Sequence, residues 1–165
     1  MPKKYWVMKT EPDMFGIDDL RKRPRQREHW DGVRNYQVRN MLRDEVQVGD
    51  QAFFYHSSCK QPGIVGIMNI VRAGYPDDSA LNPEGEHYDP KHTRENPRWY
   101  MVDVKFERAF KRVVSLEEIK QCPQLQDFAL VQRGNRLSIL PVTSAQWKFI
   151  LSLEDRRSRD ALEGC

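Results

Sequence analysis

The sequence predicts an α+β domain: a curved antiparallel or mixed sheet with short helices around it. Three observations predict this. Apolar segments of strand length and segments of helical spacing are both present, yet they do not alternate as successive βαβ units. The chain has 165 residues, the size of one domain. Chains near 150 residues bury about 68–70% of their unfolded surface, so a core can form without disulfide or metal staples. Hydrophobic residues make up 39% and aromatics 10% of the sequence, more than a disordered chain carries.

Tyr5-Trp6-Val7-Met8-Lys9 is aromatic and β-branched and reads as the first strand. Pro12 stops it, because proline lacks the ladder N–H and biases Glu11 to extended geometry. Ile17-Asp18-Asp19-Leu20-Arg21-Lys22 reads as a short helix, acids first and bases last, as the helix dipole favours. Residues 21–27 hold five arginines or lysines around Pro24 and read as a solvated loop. Residues 35–45 read as a second helix. Val38, Met41, Leu42 and Val46 recur at its core-facing spacing, and Asn35, Arg39 and Arg43 form a polar stripe.

Gly49-Asp50 is a turn, and residues 52–56 and 63–71 read as two strands. Gly66 inside the second marks a bulge or a close backbone approach. Residues 74–98 contain Pro76, Pro83, Pro90 and Pro97 and read as one long loop, of a length usually functional or mobile. Residues 99–110 alternate so that Val102, Val104 and Phe106 share a buried face. Ser115-Leu116-Glu117-Glu118 has a capping-box pattern and opens a short helix that Pro123 ends. Residues 137–141 read as an edge strand. Thr143-Ser144-Ala145-Gln146 is a second capping box, and Trp147, Ile150 and Leu151 give the last helix its apolar face. From Glu154 onward the chain is charged and reads as a frayed tail.

Lys and Arg total 27 against 24 Asp and Glu, a net charge of +3. This permits an anionic partner without demanding one. No run of about 18 apolar residues suggests a membrane span, and the apolar run at Tyr5 is too short for a signal-peptide core. Cys59, Cys122 and Cys165 are odd in number and widely spaced, with no metal signature, and read as reduced thiols of a cytosolic or nuclear protein. His29, His56, His87 and His92 show no metal-ligand spacing, so neither a metal nor a cofactor is expected.

Trp6 and Trp147 sit in apolar patterns and read as core. Trp30 lies between His29 and Asp31-Gly32, in a polar loop context, and is either a lid on the core or one wall of a pocket. Trp99, at a strand start after the proline-rich loop, has the same two readings. Flat aromatic walls suit a nucleobase, whose edge polar groups at the pocket floor would read. Lys9, Thr10 and Glu11, Asn35, and His56, Ser57 and Ser58 are the candidates for that floor. Arg21, Lys22, Arg23, Arg25, Arg27, Arg34, Arg39 and Arg43 are candidates for phosphate contact; the loop arginines are equally read as plain solvation. Two other function classes stay open: a small hydrolase or base-processing enzyme using His56 with Cys59 or Glu11, and a protein-interaction module using residues 74–98.

Several motifs in order, Trp6-Val7-Met8-Lys9-Thr10-Glu11-Pro12, Trp30-Asp31-Gly32-Val33-Arg34-Asn35-Tyr36, Phe53-Phe54-Tyr55-His56-Ser57 and Gly63-Ile64-Val65-Gly66, resemble the EVE domain in its thymocyte nuclear protein type. Tyr88-Asp89-Pro90, Trp99-Tyr100-Met101-Val102-Asp103-Val104 and Arg136-Leu137-Ser138-Ile139 extend the likeness, which spans residues 4–153 as one domain and leaves 154–165 as the tail. The resemblance implies a PUA-like fold, a curved, barrel-like sheet flanked by short helices. It also implies kinship with YTH domains, which hold a methylated adenine in an aromatic cage. Trp30 would match the first cage tryptophan and Trp99 a second. Thr10-Glu11 stands where YTH domains usually have Ser-Asn. The implied activity is non-catalytic binding of a modified cytosine or adenine in DNA or RNA. The base pocket would comprise Trp30, Lys9, Thr10, Glu11, Asn35, His56, Ser57 and Trp99. Arg34, Arg39, Arg21, Arg23 and Arg25 would face phosphates.

Overall fold

The computed structural model describes residues 3–156. Six strands form one mixed sheet: β1 (Tyr5–Thr10), β2 (Arg27–Trp30), β3 (Gln51–His56), β4 (Gly63–Pro76), β5 (Tyr100–Ser115) and β6 (Ile139–Val142). Their order is β2-β5-β4-β3-β1-β6, so β2 and β6 are the edges and the sheet is open rather than closed into a barrel. β1 and β3 run parallel, with Thr10 beside His56, and every other pair is antiparallel. A parallel pair needs a crossover. Residues 11–50 make it, carrying α1 (Ile17–Lys22) and α2 (Tyr36–Asp44) over one face and adding β2 to the far edge of the sheet. α3 (Leu116–Lys120) and α4 (Ser144–Glu154) come later in the chain.

Both faces of the sheet are buried, which is why β1 and β3 read as unbroken apolar runs. Trp6, Met8, Phe54, Met68 and Val104 pack under α1 and α2 with Leu20, Val38 and Leu42. Val7, Phe53, Ile64 and Phe110 face the other way and meet Ile119 of α3 and Trp147, Ile150 and Leu153 of α4. The two expected core tryptophans therefore serve opposite faces. Trp6 donates its indole N–H to the buried Asp50 at 3.0 Å, and that carboxylate also accepts the Lys4 and Gln47 N–H groups.

Successive register shifts between β4 and β5 bend these two long strands. One shift flanks Gly66, where a Cβ would lie 2.2 Å from Ile17 Cδ1 and 2.6 Å from the Arg108 carbonyl. The bulge and the close approach expected there are both present, and the approach seats α1.

Several local expectations change. Residues 27–30 carry no strand signal because three of the four are charged or polar at an edge, yet they pair with β5 as β2. β4 runs on to Pro76, and residues 78–81 form a 3₁₀ turn, so the segment 74–98 is partly regular. Ser115 accepts the Glu118 N–H, but the Glu118 carboxylate is taken by Arg112 at 2.7 Å instead of closing a capping box. Glu154 does not begin a frayed tail: it ends α4, is buried, and is paired to Arg108 at 2.9 Å. Cys59 is a free thiol, as read from the sequence, and Cys122 is buried beside α3. The reading of Cys165 and of the last tail residues falls outside the described residues.

Candidate nucleic-acid interface

A cleft of about 480 Å³ opens where the C-terminal end of β1 meets the loop after β2. Lys9 and Thr10 come from β1, Met14 and Phe15 from the turn that follows, Trp30 to Asn35 from the β2–α2 connection, and His87 from the long loop. The end of a parallel strand is where open sheets generally leave room for ligands. Trp30 is the last residue of β2, paired with Val102, and its ring packs edge-on against Phe15 and Phe54 at 6.3 and 5.6 Å between centroids. Only 7% of Trp30 is exposed. Among the described residues its indole N–H has no hydrogen-bond partner, and it is not sealed from solvent.

The connection after Trp30 is held from behind. Gly32 has φ +76°, a left-handed conformation that glycine adopts without strain, and its N–H donates to Asp77 at 2.9 Å. His87 covers this glycine so closely that a Cβ would lie 2.6 Å from its Nε2. Asp77 is fully buried and also accepts from Arg34 and from Ser79. Burial works to raise its pKa, but the hydrogen bonds from Ser79, Gly32 and Arg34 outweigh it and hold the carboxyl below its ordinary value.

The expected site residues divide. Lys9, Thr10, Trp30, Arg23, Arg34 and Asn35 line the cleft. Asn35 also caps α2, its side-chain oxygen accepting the Val38 N–H at 3.0 Å, which leaves its amide hydrogens for other partners. Arg34 is tethered to Asp77 and to the His87 carbonyl. Glu11, His56, Ser57, Trp99, Arg39, Arg21 and Arg25 do not line it. The Glu11 carbonyl closes the turn by accepting from Met14 and Phe15. His56 Nε2 accepts the Ile17 N–H at 3.1 Å, and burial lowers its pKa, so it sits neutral under α1. The Ser57 N–H donates to the Thr10 carbonyl, extending the β1–β3 ladder.

Trp99 stacks on Tyr36 at 4.9 Å and donates its indole N–H to Asp89 at 2.6 Å. Arg39 reaches the Arg98 carbonyl, Arg21 pairs with Asp18, and Arg25 lines a separate hollow with Arg27 and Asp103. The enzyme candidates are not assembled: among the described residues no hydrogen bond joins His56 to Cys59 or Glu11.

The cleft holds groups that the sequence pattern did not single out. Asp31 has its pKa raised by burial and by the nearby Asp77. Burial lowers that of Lys9. Glu28 is bound to Arg23 at 2.7 Å, and Arg23 lies 5.3 Å over the Phe15 ring. Phe15 is the missed wall. A lone aromatic after a Pro-Asp turn gives no periodic signal, and only the fold brings it against Trp30.

The chain matches the family model for the EVE domain over residues 4–153. It belongs to the EVE-domain family. Thymocyte nuclear protein 1 of Danio rerio is 47% identical over 167 residues, which span 91% of this chain and 71% of that protein. The crystal structure of a Pseudomonas syringae protein matches with TM-score 0.86 at 50% identity, covering 91% of this chain and 99% of that one. The crystal structure of human THYN1 in complex with 5-methylcytosine-containing DNA matches with TM-score 0.88 at 43% identity, covering 94% and 99%. The PUA-like fold of EVE domains is thus the fold of this chain, and its cleft lies at the start of the EVE crossover. Among the described residues no helix of this EVE domain is long and apolar enough to cross a membrane.

Proposed function

We propose that this protein is a non-catalytic reader of a modified nucleobase, with 5-methylcytosine in DNA as the leading ligand. The observation that carries this reading is the Trp30 cleft: an aromatic wall with an unpartnered indole donor, beside Lys9 and Thr10 at a strand end. The human relative solved with 5-methylcytosine-containing DNA supports the choice of base. Trp30 and Phe15 supply apolar surface for the base. Lys9, Thr10 and the Asn35 amide face its polar edge, and Asp31 offers an acceptor for an exocyclic amine. Arg23 and Arg34 flank the entrance; Arg21, Arg25 and Arg39 lie further out, within reach of a strand that continues past the cleft. The thymocyte nuclear protein relatives support a nuclear location if the source is eukaryotic.

The test is titration of oligonucleotides with and without 5-methylcytosine, and with N6-methyladenine, in DNA and RNA, against wild type and Trp30→Leu. Leucine keeps an apolar fill and removes the flat ring. Modification-dependent binding that is lost in Trp30→Leu supports the reading; binding blind to both the modification and Trp30 overturns it.

A further inference from the structure

A second depression of about 350 Å³ lies along the edge strand beside the cleft, lined by Pro24, Arg25, Arg27, Glu28, His29 and Asp103. Glu28 and His29 line both hollows, so the two are contiguous. We propose that Arg25, Arg27 and His29 form an anion subsite that holds a backbone phosphate beside the nucleotide in the cleft. This rests on the reading of the cleft as a base site.

His29 is built in for such a contact. Its Nδ1 lies 2.9 Å from Asp103 Oδ1 and 2.9 Å from Tyr75 Oη. The Tyr75 hydroxyl donates its own proton to Asp103, so its oxygen is left to accept. Asp103 is buried and acceptor-only when ionised, so Nδ1 keeps its proton in either charge state. The proton that comes and goes is therefore the one on Nε2. That atom has no hydrogen-bond partner among the described residues, and the side chain is 57% exposed. Bare Nε2 turns a lone pair toward an incoming anion; protonated Nε2 donates a charge-assisted hydrogen bond.

The surrounding charges favour the protonated form. The hydrogen bond that His29 donates to Asp103 raises the His29 pKa against a smaller opposing effect of burial, and the charges of Asp103, Glu28 and Asp31 add to it. On β2, Glu28 is already bound by Arg23 and by the His29 N–H. On β5, Asp103 lies 3.9 Å from Arg27, and Lys105 is the register partner of Arg27. On β4, the Arg72 guanidinium lies 3.5 Å from the Tyr75 ring centre. The cations that line the hollow are Arg25, Arg27 and His29, and its one buried carboxylate, Asp103, is turned to the imidazole. Arg25 reaches it because Arg25 and Gln26 both take the left-handed φ of 57°, a conformation braced by Gln26 bonds to the Arg23 and Arg21 carbonyls.

The experiment is an anisotropy titration of a 5-methylcytosine oligonucleotide from about pH 5.5 to pH 8.5, where an imidazole changes charge. Wild-type affinity is expected to fall on the order of tenfold as pH rises, the worth of one charge-assisted contact. His29→Gln is expected to bind evenly across the range, at the high-pH level of wild type, with its low-pH salt slope reduced by about 1. A flat wild-type profile, or a fall that persists in His29→Gln, overturns the subsite.

The source of the phosphate is read by NMR titration of the His29 ring. The oligonucleotide is expected to raise its pKa, while 5-methyldeoxycytidine without phosphate leaves it unmoved. An equal rise with inorganic phosphate alone overturns the backbone assignment in favour of a free anion. Trp30→Leu separates the two ideas: modification-dependent affinity that survives it defeats the cleft reading, and the His29 titration is read independently.

Discussion

Trp30 and Trp99 are equally hidden, at 7% and 5% exposure, and the kinship with YTH domains implied both as walls of one cage. Their polar edges separate them. Trp99 spends its N–H on Asp89 and lies against Tyr36, with the Arg34 guanidinium 5.2 Å from its ring. His92, itself buried, accepts the backbone N–H groups of Arg98 and Trp99. Trp99 thus fastens the long loop to α2. Trp30 belongs to the core cluster, meets Phe15 and Phe54 in T-shaped pairs, and keeps an unspent donor beside an open cleft. Trp147 likewise makes no indole hydrogen bond among the described residues but packs between Tyr5 and Phe53, so what sets Trp30 apart is a free donor on a residue that lines the cleft.

The contrast breaks most visibly at Trp99. Trp99→Ala is expected to cost roughly 3–5 kcal/mol of stability, read by urea denaturation, while the folded fraction keeps its preference for a modified base. Loss of that preference without loss of stability would return Trp99 to the pocket. Trp30→Leu is expected to forfeit about 1–3 kcal/mol of base-dependent affinity, read by calorimetry, with a smaller effect on stability than Trp99→Ala.

Gly32→Ala tests what stands behind Trp30. A side chain at φ +76° facing His87 is expected to cost on the order of 1 kcal/mol and to move the imidazole, visible as a shifted His87 resonance. The smallest effect is in pH. Burial lowers the His92 pKa, so its contribution is full above the ordinary 6.5 and is lost as pH falls below 6.5 through the depressed folded value. His29 has the opposite sign: its raised pKa gives a contribution present below 6.5 and lost as pH rises through the folded value. Denaturation midpoints of His92→Gln and His29→Gln across pH are expected to converge on wild type at opposite ends of the range.

Much of the fold was legible because it follows local chemistry. Asn35 and Thr143 cap helices where their side chains can reach the next N–H groups, and Gly66 sits where α1 needs a residue without Cβ. The sheet edge was harder. Arg27-Glu28-His29-Trp30 has the composition of a loop, and its strand state comes from pairing with β5, more than 70 residues away. The site was half legible for the same reason. Lys9, Thr10 and Asn35 adjoin recognisable element ends, whereas Phe15, Trp30 and Asp31 of the crossover and His87 of the long loop meet only in the fold. That His56 and Trp99 stand outside the cleft was not legible, because residue type does not tell whether a nitrogen has already found its partner.

The open edge at β2 also bears on how the molecule behaves in a crowd. An edge strand presents unpaired N–H and C=O groups to any other chain. Here that edge carries Arg27, Glu28 and His29 over only four residues, a short and charged border that discourages strand addition. The cations offered to a phosphate are thus the same ones that keep two copies from zipping together. Neutralising them should show up in light scattering as well as in binding, and a phosphate strand lying along β2 would shield the edge while it stays bound.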